Sequence, residues 1–212
     1  MPSLRQALNH FRQHWKDSLL LGLLSVALIM LSHWIPLVGG WALSAGMLIL
    51  QFAVWHWLQN GAWPQPSALF AKIQIVPFLI SSLVLIPTSI LIGSASGLLQ
   101  NIGDYGLNIL LSFLFFFVGI GFFFILTHAL AFNIFKNENL PKAFDKTSMV
   151  FIKNIRMFSV LCFYLGGAAL ISVLSRGLIF VIVMPILYYS SFYSFKAVFA
   201  TDSLEDIADS TT

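Results

Sequence analysis

Apolar residues fall in six runs along the chain, at about 18–35, 41–58, 73–92, 107–132, 157–175 and 177–196. Each run is close to the roughly 20 residues that a helix needs to cross the hydrocarbon of a bilayer with some tilt. Turn residues separate them. Pro36 with Gly39 and Gly40 closes the first pair, and Pro64 and Pro66 mark the second connection. The stretch from Gly93 to Gly106, rich in Ser, Gly and Asn, forms the third. Lys136 to Arg156 is the fourth and longest, and Ser175-Arg176-Gly177 is a tight fifth. The pattern predicts an all-α polytopic membrane protein, with six transmembrane helices arranged as three hairpins.

Two polar segments outside the runs carry a helical stripe of their own. Leu4, Ala7, Leu8, Phe11 and Trp15 recur at helical spacing, with Arg5, Arg12 and Lys16 on the other face. Leu140, Ala143, Phe144, Phe151 and Ile155 do the same, with Lys142, Lys146, Lys153 and Arg156 largely off the stripe. Pro2 and Pro141 suit a first helical turn. An offset of 136 residues aligns Leu4 with Leu140, Ala7 with Ala143, Leu8 with Phe144 and Trp15 with Phe151, and mismatches Phe11 with Thr147. A shorter version stands at Ser67 to Phe70. The expectation is one domain over 1–200, built from repeats at 3–58, 66–135 and 139–199. Each repeat has an interfacial amphipathic helix, apolar face down, followed by a hairpin. The alternative is that basic amphipathic segments stand beside spans without shared ancestry.

Composition narrows the class. Only 9% of the residues are charged, against about 25% for a soluble domain, and 58% are hydrophobic. These values exclude a soluble enzyme, a disordered chain and a nucleic-acid-binding domain. The continuous apolar runs exclude an outer-membrane barrel, whose strands alternate. The first run is longer than the roughly 7–15 residues of a signal-peptide core, so it reads as a retained span. The single Cys162 has no internal disulfide partner.

The net charge of +3 matters less than its placement. Ten of the eleven Lys and Arg fall on one side of a six-span layout, with Arg176 alone on the other. That bias predicts cytoplasmic termini in a bacterial inner membrane. Trp34 and Trp41 bracket the first outer turn. Trp15, Trp55, Trp57, Trp63, Tyr188, Tyr189 and Tyr193 gather at the inner side, where amphipathic rings prefer the headgroup level. Residues 201–212 hold Asp202, Glu205, Asp206 and Asp209 without a basic residue, and predict a short acidic, largely disordered cytoplasmic tail.

Several of these segments together carry a family likeness: Leu4 to Lys16, Ile35 to Gly39, Pro141 to Phe144 with Asn154, and Pro185 with Tyr188 and Phe192. They resemble a group of bacterial six-helix inner-membrane proteins of unknown function. That group is similar to the membrane domain attached to some glycerophosphodiester phosphodiesterases. The resemblance covers most of the chain. It implies an inner-membrane location and a six-helix fold, and it implies no catalytic residues. The soluble phosphodiesterase domain has no counterpart in these residues, so that activity is not implied.

Candidate chemistry is sparse. His33, His56 and His128 stand apart near span ends, and Gln51 and Asn108 lie within spans. A metal centre needs three or four converging ligands, so the histidines read as interfacial groups with a hydrogen bond or water. Gly93-Ser94-Ala95-Ser96-Gly97 has the look of an intramembrane serine-protease motif. Its serines and His128, however, fall at opposite ends of their spans, about 30 Å apart. Asp104 and Arg176 have opposite signs on the outer side and suit an exposed ion pair. Pro77, Pro87 and Pro185 predict kinks. Seven phenylalanines between Phe113 and Phe124 surround the fourth span, while Gly119, Gly121, Gly166 and Gly167 permit close helix packing.

These features rank three functions. First stands a non-enzymatic protein that assembles or organises membrane components, with membrane lipids and a membrane-protein partner or second copy as its contacts. Second is a small channel or transporter for an apolar or lipid-like solute. Third is an intramembrane enzyme. No cofactor and no nucleic acid are expected.

Overall fold

The computed structural model describes residues 2–33, 39–65, 75–86, 105–136, 138–174 and 178–209. Among these residues there are eight helices and no strand. They are α1 (Pro2–Gln13), α2 (Trp15–His33), α3 (Gly39–Asn60), α4 (Ile75–Val84), α5 (Tyr105–Lys136), α6 (Leu140–Lys153), α7 (Ile155–Leu174) and α8 (Phe180–Asp209). Four helical segments are each long and apolar enough to cross a membrane: Gly39–Asn60, Gly106–Asn133, Ile155–Leu174 and Phe180–Val198. A fifth qualifies when α1 and α2 are taken together. Four to five of the six expected spans are thus present. Of the expected span 73–92, residues 75–86 are described, and α4 is their helix.

The helices close into a ring. Going round it, α2 touches α3, α3 touches α4, α4 touches α5, α5 touches α7, α7 touches α8, and α8 returns to α2. The long helix α8 also meets α3 and α5 across the ring. The short helices ride on this frame, with α1 lying along α8 and α6 along α5.

The amphipathic helices α1 and α6 each end at a one-residue break, at His14 and Asn154. The axes of α1 and α2 meet at 103°, with no Pro or Gly at Gln13-His14-Trp15. The bend divides a segment with one basic face from one that is apolar all round, so each meets a different solvent. At the second bend Asn154 serves both helices. Its backbone N–H and its Nδ2 donate to Val150 O at 3.0 and 3.1 Å, ending α6. Its carbonyl accepts from the N–H of Met157 and Phe158 at 2.9 and 3.1 Å, starting α7.

Burial matches between the two bent segments at a different offset from the sequence pattern. Ser3, Ala7, Ser18, Leu21 and Ser25 are buried; 140 residues further on so are Ala143, Thr147, Phe158, Leu161 and Leu165. The bends at His14 and Asn154 correspond at the same offset. The four-residue difference from 136 is about one helical turn. A one-turn slip leaves an apolar stripe on the same face, so the stripe alone does not select the register.

Three expectations are corrected. The apolar stripes do not simply face down into lipid. Ala7 and Phe11 pack into a core with Trp55, Tyr188 and Tyr189, and Ala143 and Phe151 pack with Phe132 and Phe158. Trp55, Tyr188 and Tyr189 are fully buried by neighbouring helices rather than exposed at the protein surface. Finally, α8 continues through the acidic segment to Asp209. No Pro or Gly interrupts it after Pro185.

Candidate membrane-contact face and buried polar seam

The predicted basic residues divide by environment. Arg5, Arg12 and Lys16 are exposed around the first bend, and Lys142, Lys153 and Arg156 around the second. Lys146 is drawn inward: its Nζ lies 3.5 Å from Glu138 Oε1 and 5.0 Å from the centroid of the Phe132 ring. Lys16 Nζ lies 5.7 Å from the Trp15 ring. Large apolar side chains stand exposed beside the cations. They are Leu8, Trp15 and Leu20 at the first bend, and Met149, Ile152 and Ile155 at the second, with Ile152 at 67%. Cations next to exposed apolar side chains on a surface helix match the demands of a bilayer interface.

The four packing glycines differ. Gly119 is buried. A Cβ at Gly121 would meet Cys162 Sγ at 3.7 Å, and one at Gly166 would meet the Phe117 backbone nitrogen at 3.5 Å. Both lie on the α5–α7 contact, whereas a Cβ at Gly167 meets nothing within 4 Å. The tightest approach is at Gly22, which the sequence reading did not single out. A Cβ there would run into the backbone carbonyl of Val181, with the carbonyl carbon at 2.6 Å. The available signal was Ser18, Gly22 and Ser25, small residues on one helical face.

Asp104, Arg176 and the Gly93 to Gly97 motif lie outside the described residues, as do the side chains of His33 and Pro77. Trp41, expected at the outer surface, donates its Nε1–H to Ser82 Oγ at 2.9 Å.

Sequence reasoning also missed a buried polar seam along α8. Ser18 Oγ and Tyr189 Oη are 2.9 Å apart, and Ser25 Oγ donates to Tyr188 Oη at 3.4 Å. Gln51 Nε2 donates to Tyr188 O at 3.2 Å, and Thr127 Oγ1 lies 3.2 Å from Ser191 Oγ. Many of these hydroxyls also donate to carbonyls one turn back, as Ser25 does to Leu21 O and Thr127 to Phe123 O. This is how a helix hidden from water satisfies them.

His128 ends the seam. It is fully buried among the rings of Trp55, Phe124, Phe158 and Phe195. Its Nε2 lies 3.0 Å from Ser191 O and 3.3 Å from Ser194 Oγ. A carbonyl only accepts, so Nε2 carries the hydrogen. The Ser194 hydroxyl likewise donates to Ser191 O at 2.9 Å. The imidazole therefore presents a donor, not a base, to that serine, and the pair lacks the arrangement of an activated nucleophile.

A second cluster holds α1 in place. His10 stacks on His14 with centroids 4.6 Å apart, and meets Tyr189 and Trp57 edge-on at 4.8 and 5.2 Å. His10 Nδ1 lies 3.4 Å from Tyr193 Oη, and Trp63 stacks on Trp57. Burial first, and then the neighbouring His14, lower the His10 pKa from 6.5 to about 4.

Comparison with family models, curated proteins and solved structures finds no match, so the functional reading rests on a helical, several-span chain with this surface and this seam.

Proposed function

We propose that this chain is a non-enzymatic, multi-pass protein of a bacterial inner membrane that organises or assembles with other membrane components, lipids included. The observation that carries the reading is the repeated placement of exposed cations beside exposed apolar side chains at both bends. Such a face is drawn to an anionic leaflet by charge and held by apolar burial. The bias of Lys and Arg puts both termini on the cytoplasmic side. The likeness to six-helix inner-membrane proteins of unknown function belongs to the same proposal. So does the triple repeat. It is supported by the burial match at 140 residues and by the ring order, in which α2, α4 and α7 each stand between α8, α3 and α5 in turn.

The test is purification from native membranes in mild detergent. A stoichiometric membrane protein or a second copy retained through size exclusion is the expected outcome. A chain that runs alone and moves solute across liposomes would overturn the reading in favour of a small channel or transporter. One observation favours that second reading, the seam inside the ring where the fully buried Gln51 Oε1 has no hydrogen-bond partner among the described residues.

A further inference from the structure

At the α6–α7 bend a cleft of about 400 Å³ is lined by Lys153, Asn154, Arg156, Met157 and Val160. Its upper rim carries two exposed cations, and neither meets a carboxylate among the described residues. Its lower wall is apolar. Below it, α7 presents an exposed apolar stripe: Val160, Phe163 and Tyr164, then Ile171. Gly167 falls on the same face, and the space a Cβ would occupy there is open. Charge at the surface, apolar wall below it and a notch further down match the order of groups along a phospholipid.

We infer that this cleft is a specific site for one anionic phospholipid. Its phosphate is held between the Lys153 ammonium and the Arg156 guanidinium, and an acyl chain lies along Val160 and over Gly167. The inference rests on the membrane-organising reading above and sharpens it from a general basic face to one site. The first bend is a built-in comparison. At the 140-residue offset Lys153, Arg156 and Met157 correspond to Gln13, Lys16 and Asp17. There one cation is missing and an exposed carboxylate stands at the apolar position, so the first bend lacks the paired cations above an apolar wall that this cleft offers. A free phosphate would use the cations alone; the apolar wall and notch commit the site to a lipid.

The experiment measures retention of phosphatidylglycerol by the full chain in non-ionic detergent, read by native mass spectrometry and titration. One retained lipid is expected. Lys153→Gln with Arg156→Gln weakens binding about 30-fold, the combined effect of two basic residues near an anionic group. Lys146→Gln with Lys196→Gln, an equal change in charge at cations outside the exposed face and the cleft, leaves it unchanged. Gly167→Leu, at an open position, weakens lipid binding while the fold stays intact by circular dichroism. Equal losses in both double variants mean diffuse attraction and overturn the site. Displacement of the lipid by inorganic phosphate at matched concentration overturns the acyl contact. Either failure leaves a copurifying partner untouched, so it is distinguishable from failure of the broader reading.

Discussion

Gly22 and Gly167 are the same residue in opposite surroundings. The first has the Val181 backbone where its side chain would be; the second has open space. Gly22→Ala forces α2 and α8 apart and lowers stability by about 1–3 kcal/mol. Gly167→Ala gains helix propensity of up to about 1 kcal/mol and leaves packing alone. Thermal unfolding in one detergent separates the two, and equal melting temperatures for both variants would refute the close approach at Gly22. Gln51 poses the converse question. Its Nε2 donates to a carbonyl within α8, while its Oε1 is buried without a partner among the described residues. Methionine removes the unpartnered oxygen, and Tyr188 O lies inside α8, where the helix ladder supplies its donor. Gln51→Met is therefore expected to retain or raise the melting temperature; a marked fall would show that the amide stabilises the seam.

At the scale of elements, α1 is held to α8 by rings and by a histidine that burial keeps neutral. The docked His10 resists a proton that the undocked helix accepts. The cost of docking therefore grows as the pH falls from 6.5 toward about 4, and is absent above that window. His14 stacks on His10, Tyr189 and Trp57 face it, and Tyr193 Oη lies near its Nδ1. A spin label on Asn9→Cys, an exposed position, should become more mobile between pH 7 and pH 4.5. Adding His10→Phe should remove that change. Loosening that persists with phenylalanine at position 10 would assign the effect to another group. The stripe of α1 was legible in the sequence, and its partner was not. Leu4, Ala7 and Phe11 fit a lipid surface or a protein surface equally well, and only the 103° bend over α8 selects the protein.

For the molecule as a whole, the ring order makes a direct claim about which helices adjoin. Cys162 is buried on α7 and is the chain's single cysteine, and the Cβ position of Gly121 on α5 is 3.7 Å from its Sγ. Gly121→Cys should form an internal disulfide under a membrane-permeant oxidant, seen as loss of both free thiols. Gly167→Cys should stay reduced. Failure of the first to close would place α5 and α7 in a different order.

Much of this architecture follows from the sequence alone. Long apolar runs have nowhere to go but a bilayer or a core, so helical class and several membrane-crossing segments follow from run length and the scarcity of charge. The exposed cations at the bends follow too, because a charge that avoids burial stays at the surface whatever the packing. Tertiary structure decided the rest. Ser18 and Ser25, Gln51, and Thr127 with His128 come from three separate helices and reach their partners only when α2, α3 and α5 close on α8. Tyr188 and Trp55 are fully buried because neighbouring helices cover them, which their place in the sequence does not reveal. A periodic stripe states that a helix has an apolar side. Lipid and protein are both apolar, so which of them covers that side, and at which turn, is settled only by the neighbours.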